Sequence, residues 1–147
     1  MKICWFNDQR LGVVDNGLVY DVTEALQALP APSYPQFAGD LVIAHLPQVR
    51  AEAERLKATA QTFRVEDVRL LSPVAQPGKI IGVPVNYQAH VEEAQRDSHI
   101  FTTRYTGGVK EQGLFLKASS SLIGCSQAVE ISMPERLTHH EIELAAV

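Results

Sequence analysis

Arg10-Leu11-Gly12-Val13-Val14-Asp15-Asn16-Gly17-Leu18-Val19-Tyr20-Asp21 decides how the first part of this chain folds. β-favouring residues stand on both sides of Asp15-Asn16-Gly17, and an Asn-Gly pair between such runs is the strongest short hairpin signal. Upstream, Lys2 to Phe6 is a further run of the same kind, so the opening reads as a small β-meander. Downstream, Asp21 or Thr23 is placed to cap a short helical piece through Leu29, after which Pro30, Pro32 and Pro35 force an extended connector. A helix is predicted from about Asp40, restarting at Pro47, because Leu46, Val49, Ala53, Leu56, Ala60 and Phe63 recur at steps of three and four. Its other face carries Arg50, Glu52, Glu54, Arg55 and Lys57 and reads as solvated, with a charged docking surface as the sharper alternative.

The run from Val65 to Gly78 is rich in breakers, which places a domain boundary near Leu71: residues 1–71 as a small N-terminal domain and 72–147 as a second. Lys79-Ile80-Ile81-Gly82-Val83 then reads as a buried strand, Tyr87 to Gln95 as a short helix, and 97–113 as a loop. Residues 114–117, 128–132 and 140–147 read as further strands, the last running to the final residue. The class is α+β, mainly β.

The whole chain has 147 residues, 46% hydrophobic and 20% charged, the balance of a soluble globular protein. Thirteen basic against seventeen acidic side chains give a net charge of −4, which disfavours nucleic acid as a partner. No apolar run approaches the ~20 residues of a membrane span, and the N-terminus lacks a signal-peptide pattern, so a cytoplasmic location without membrane contact is expected. Cys4 and Cys125 lie far apart without CxxC spacing and read as buried, reduced thiols rather than a disulfide or a zinc knuckle.

Three groups of residues could carry chemistry. Glu141 and Glu143 stand two apart in a strand-like run, where a period of two puts both carboxylates on one face. Either that face is the solvated edge of a sheet, or a hard divalent cation neutralises the pair. His90 and Glu93 at i and i+3 share a helix face; they are a surface ion pair, or a carboxylate fixing the tautomer of a general base. Lys117 ends an apolar strand and either snorkels to water or holds an anionic ligand. Adjacent His139 and His140 point to opposite faces of a strand and make a poor zinc site, and Ser119-Ser120-Ser121 lacks a nucleophile elbow.

In order, several stretches together resemble the fumarylacetoacetate hydrolase family: Leu71-Ser72-Pro73-Val74 with Pro77-Gly78-Lys79-Ile80-Ile81-Gly82-Val83, Asn86-Tyr87-x-x-His90-x-x-Glu93, Leu114-Phe115-Leu116-Lys117, Leu122-Ile123-Gly124, and His140-Glu141-Ile142-Glu143-Leu144-Ala145-Ala146-Val147. Arg10 to Val14 and Gly17 to Thr23 also look like the small N-terminal region of its bacterial members. The resemblance implies a small α+β domain followed by the first part of a mixed β-roll catalytic domain, paired as a homodimer. It implies a metal-dependent enzyme acting on small 2-oxo or 2,4-dioxo acids by C–C hydrolysis, isomerisation or decarboxylation. Glu141 and Glu143 become two of three carboxylate ligands to Mg2+, with Mn2+ or Ca2+ as substitutes. His90 and Glu93 become the pair that activates water, and Lys117 holds substrate or an oxyanion.

Two departures from the family pattern stand out. Pro84 occupies a position where a small residue is usual, which re-aims the strand end. The family's third carboxylate, an Asp, and a further Lys lie beyond the Glu-x-Glu strand, outside this chain. The long stretch between Glu93 and Lys117, with Thr102 to Gly108, reads as a lid or as a surface loop. A truncated, non-catalytic fragment and a metal-free interaction module built on the Pro47–Phe63 helix are the competing readings.

Overall fold

In the computed structural model, which describes residues 1–84, 86–96, 109–138 and 140–147, the Asn16-Gly17 turn forms as its sequence demands. Both residues have positive φ, +46° and +77°, as a type I′ turn requires, and Asp15 pairs directly with Leu18 across it. The side chains of His90, Glu93, Ala94 and Gln95 lie outside the description. The chain divides into two units, Met1–Pro77 with Leu122–Val147, and Gly78–Ser121. The α+β reading holds, with antiparallel sheets throughout the described residues.

The first unit is built on a four-stranded meander of β1 (Lys2–Phe6), β2 (Arg10–Asp15), β3 (Leu18–Asp21) and β4 (Thr62–Arg64), paired in that order. Alternation sends Leu11 and Val13 to one face, where Val22, Ala25, Val42, Val49 and Ala53 bury them together with Ile3, Trp5 and Tyr20. Phe6 and Val19 go to the other, covered by Val68 with Val65, Leu70 and Phe63 around them. Both faces of this small sheet are therefore closed.

The first face is covered by helices. α1 (Leu41–Ala44) and α2 (Leu46–Lys57) meet at His45, with Pro47 in the first turn of α2, where its missing N–H costs nothing. Asp40 sets their entry: one carboxylate oxygen accepts from the backbone N–H of Val42 (2.9 Å) and Ile43 (3.2 Å), the other from Ala75 (2.7 Å) and Gln76 (3.2 Å). One side chain thus caps a helix and ties down the segment after the sheet. The apolar period predicted a helix through Phe63, but α2 ends at Lys57, and Phe63 instead pairs with Val19 in β4. Its spacing belongs to the sheet's second face, where its ring meets Phe6 at 5.7 Å between centroids.

The helical piece at Thr23–Ala28 is a 3-10 helix whose cap position is Val22 rather than Asp21 or Thr23. Asp21 is nevertheless at work there. Its carboxylate, 7% exposed, pairs with Arg10 and accepts from Thr23 through the backbone N–H (3.0 Å) and the hydroxyl (2.5 Å). The Arg10 guanidinium also lies over the Phe6 and Phe63 rings, at 5.7 and 5.5 Å.

The second face is closed by the chain running back along β1. Asn7 N–H donates to the Arg69 carbonyl (2.8 Å), Leu71 N–H to the Trp5 carbonyl (2.9 Å), and Arg69 N–H to the Asn7 side chain (2.9 Å). Against this strip lies the segment after Leu122. Leu70 N–H donates to the Ser126 hydroxyl (3.0 Å), and Gly124 is buried. A Cβ on Gly124 would stand 2.5 Å from the Leu70 carbonyl oxygen and the Leu71 Cα, backbone atoms that cannot swing away. Residues 128–132 and 140–147, predicted as strands, carry no strand pairing, and Ile142, Leu144 and Val147 are exposed. A β-favouring sequence becomes a strand only where a neighbouring strand supplies its ladder.

The second unit contains β5 (Ile80–Gly82) and β6 (Phe115–Lys117), paired antiparallel, together with α3 (Gln88–Arg96) and α4 (Val109–Gln112). No helix among the described residues is long and apolar enough to cross a membrane.

Two outcomes follow from the first unit. Asp40→Ala removes a helix cap and both anchors of 75–76, and should lower stability by about 1 kcal/mol or more, a fall of roughly 4–8 °C in Tm for a unit of this size. Asp40→Asn keeps an acceptor for the helix but turns an amide N–H2 toward two N–H donors, so it should fall between Ala and wild type. An unchanged Tm in both variants would contradict the clamp.

The Cys4 thiol is pushed up from 9.0 to about 11, first by burial and then by the nearby Cys125. At pH 8 that cuts its thiolate fraction about 100-fold. Iodoacetamide should therefore modify exposed Cys125 first and leave Cys4 until the chain unfolds; equal rates at both would refute the assignment. Because the folded state keeps this proton to higher pH, the stability tied to it is full below pH 9 and is lost as the pH rises toward about 11.

Candidate functional site

The turn from β5 into α3 carries the motif residues that sequence singled out. β5 ends at Gly82, and Pro84, which has no backbone donor, sits in the turn where the ladder stops. Asn86 and Tyr87 are exposed ahead of α3, and the Tyr87 carbonyl accepts from Val91 N–H at 3.0 Å, opening the helix. His90 and Glu93 both fall within α3, so the helix their i, i+3 spacing presupposes is formed. On the same helix Glu92 accepts from Gln88 (3.3 Å) and Arg96 (3.3 Å), an exposed network in which the carboxylate is already partnered.

Lys117 closes β6 opposite Ile80. It shares a sheet face with Phe115 by the alternation of the strand, and its Nζ lies 5.9 Å from the Phe115 ring centroid. Phe115 in turn covers Gly82, its register partner, where a Cβ would meet the ring at 2.3 Å. The sequence reading gave no individual role to Gly82 or Phe115. The signal was available: an isolated glycine in an apolar strand marks a close approach. Gly82 leaves room for the ring, and the Lys117 ammonium lies over it while remaining exposed to water or to an anion.

Glu141 and Glu143 lie on the extended, exposed segment at 140–147 of the first unit. As placed they do not close a cation site: among the described residues no three His, Cys, Asp or Glu side chains gather as a possible metal centre. Two exposed carboxylates without a third donor fit a dehydration-resistant ion such as Mg2+ poorly. His139 and the stretch 97–108, including the lid candidate Thr102 to Gly108, lie outside the described residues.

Among the described residues, two of the hollows in the first unit are lined by none of the five candidate residues. One of about 280 Å³ is lined by Arg10, Asp21 and Thr23 among others; the other, about 570 Å³, by Asp15, Glu54 and Lys57. Arg10 pairs with Asp21 in the first and Lys57 with Asp15 in the second. Lys57 Nζ donates to Asp15 at 2.7 Å and lies 4.9 Å from the Tyr20 ring. That hydrogen bond holds the Asp15 carboxyl below its ordinary range and raises Lys57. Both shifts favour the charged forms of the pair.

No family model matches the chain. It is 50% identical over 149 aligned positions to a maleylpyruvate hydrolase of Aquipseudomonas alcaligenes; the match takes in 100% of this chain and 52% of the relative. The chain therefore spans about half the length of the curated relative it matches. Two crystal structures of maleylpyruvate hydrolase from Sphingobium sp. SYK-6 share its fold. One superposes with a TM-score of 0.56 at 30% identity, covering 82% of this chain and 39% of that one. The other, in complex with manganese(II) and pyruvate, gives 0.55 at 28% identity, covering 82% and 38%. The chain is thus similar along its whole length to a maleylpyruvate hydrolase and shares, over 82% of its length, the fold of two solved ones.

Proposed function

We propose that this chain supplies part of a divalent-metal-dependent hydrolase of acylpyruvates, with residues 1–71 as its small domain and 72–147 as the first part of its catalytic domain. The observation that carries the reading is the 50% identity to a maleylpyruvate hydrolase over the whole chain. The manganese and pyruvate held by a solved relative support a metal and a 2-oxo acid as its ligands. C–C hydrolysis is preferred over isomerisation or decarboxylation because the relatives compared are hydrolases. The complete enzyme is read as a cytoplasmic homodimer.

In this reading His90, its tautomer set by Glu93, takes a proton from water, and the resulting hydroxide adds to the acyl carbonyl carbon. The carbon–carbon bond to the pyruvate unit then breaks, its electron pair passing to the pyruvate methylene carbon. The proton held by His90 completes pyruvate, so the hydroxyl of water ends in the released acid and its proton in pyruvate. Lys117 pairs with the 2-oxo acid carboxylate from its place over Phe115. Glu141 and Glu143 are assigned as two cation ligands whose site closes with a third donor from outside this chain. The cation, Mg2+ or Mn2+, polarises the oxo groups when bound.

The 147-residue chain by itself is expected to be inactive and to bind Mg2+ and Mn2+ more weakly than about 10−4 M. Tight, stoichiometric binding by titration calorimetry would contradict the two-donor reading. Joined to the portion of the A. alcaligenes hydrolase that it does not match, the chain should release pyruvate from an acylpyruvate. In that chimera His90→Gln should lower kcat by about 10²-fold or more, and Lys117→Met should raise KM more than it lowers kcat. A His90→Gln chimera with wild-type kcat would overturn the assignment of the base.

A further inference from the structure

Of the three asparagines in the chain, Asn7, Asn16 and Asn86, only Asn16 is followed by glycine. The Asn16-Gly17 pair is exposed at the tip of the β2–β3 hairpin. The space where a Gly17 Cβ would stand is open: among the described residues no atom beyond its chain neighbours lies within 4 Å. In a two-residue turn the ladder ends at the flanking pair, here Asp15 and Leu18, so the Gly17 N–H lies outside it. A backbone nitrogen with no ladder bond and no side chain beside it therefore adjoins the Asn16 side-chain amide. The other two asparagines are placed differently. Asn7 also has positive φ, +48°, but its side chain accepts from Arg69 N–H at 2.9 Å, and Asp8 follows it. Asn86 precedes Tyr87, whose bulk crowds the corresponding nitrogen.

We propose that Asn16 is a self-modifying site, converted by the neighbouring Gly17 nitrogen into aspartate and isoaspartate. Gly17 N gives its proton to hydroxide and adds to Asn16 Cγ. The bond from Cγ to the side-chain nitrogen breaks, and that nitrogen leaves as ammonia, closing a cyclic imide. Water then opens the ring at one of its two carbonyls. Opening at Cγ restores the main chain and leaves aspartate; opening at the main-chain carbonyl routes the chain through Cβ and Cγ, which is isoaspartate. By either route one water is consumed, one ammonia is released and one negative charge is gained.

The two products differ in what they do to the turn. Asp-Gly suits a type I′ turn as Asn-Gly does, so aspartate leaves β2 and β3 in register. Isoaspartate inserts a methylene into the main chain between Asp15 and Leu18, which a two-residue closure cannot absorb. Three links converge on that closure: the Asp15–Leu18 pair, the bond from Val65 N–H to the Gly17 carbonyl (3.0 Å), and the ion pair of Asp15 with Lys57 of α2 (2.7 Å). The Val65 bond holds the chain where it enters the strip that closes the second face of the sheet, so modification at the tip loosens the first unit beyond the hairpin. None of these steps involves the catalytic residues assigned above.

The test is to age the 147-residue chain at mildly alkaline pH and map it by peptide mass. Isoaspartate is counted with a carboxyl methyltransferase specific for it and labelled S-adenosylmethionine. Conversion at Asn16 is expected at least 10-fold faster than at Asn7 or Asn86, because only there does the attacking nitrogen belong to glycine. Its rate should rise with hydroxide concentration, and isoaspartate should be among the products. The aged, isoaspartate-containing fraction should melt below the fresh chain, whereas fresh Asn16→Asp should melt with the wild type. Asn16→Gly leaves a Gly-Gly pair that the turn accepts, and it should keep both its mass at that position and its Tm through the same ageing. An Asn16 that keeps its amide, or loses it no faster than Asn7 or Asn86, would overturn the proposal. So would an Asn16→Gly chain that loses stability on ageing as fast as the wild type, or isoaspartate at position 16 with an unchanged Tm.

Discussion

The second face of the β1–β4 sheet can be buried only because the chain after β4 turns back and pairs with β1. A four-stranded meander with helices on one side would otherwise leave Phe6 and Val19 in water. The backbone bonds that join Asn7 to Arg69 and Trp5 to Leu71 lay Val68 and Leu70 over them. Burying an aromatic ring of this size contributes about 1.5–3 kcal/mol over leaving it exposed, so this strip is worth more than its few hydrogen bonds. Everything else in the first unit leans on it: Arg10 reaches over the Phe6 ring to Asp21, Asp40 ties residues 75–76 to the helices, and Gly124 can approach only because the strip is already in place.

That constraint explains the division between well-formed and bare parts of the chain. Where both faces of a sheet find cover within the 147 residues, strands and helices form in the register their sequence dictates. At Ile81, Leu116 and along 140–147 apolar residues are exposed instead. Two carboxylates two residues apart do not by themselves make a metal site, and among the described residues no third donor gathers with them.

Much of the first unit was legible in the sequence. The Asn16-Gly17 turn, the meander, the helix break at Pro47 and the Asp40 start all follow from local rules about φ, capping and proline. Phe63 was misplaced because its spacing from Ala60 fits a helix as well as a strand, and the deciding contact with Val19 and Phe6 is long-range. The strands at 128–132 and 140–147 failed for the complementary reason, since alternation records a face to be buried without saying what buries it. The site was legible mainly as an ordered set of motifs. The role of Gly82 beneath Phe115 and Lys117 emerged only from the register, which the sequence of either strand alone does not contain.

The claim that the β1–β4 sheet is closed on both faces while the β5–β6 pair is not is tested most directly by residue-resolved hydrogen exchange on the isolated chain. Amides of the closed sheet, such as those of Val13 and Val19, should exchange only through global unfolding, while the bonded amides of β5 and β6 should open locally and exchange roughly 100-fold faster or more. Equal protection across both sheets would contradict the account.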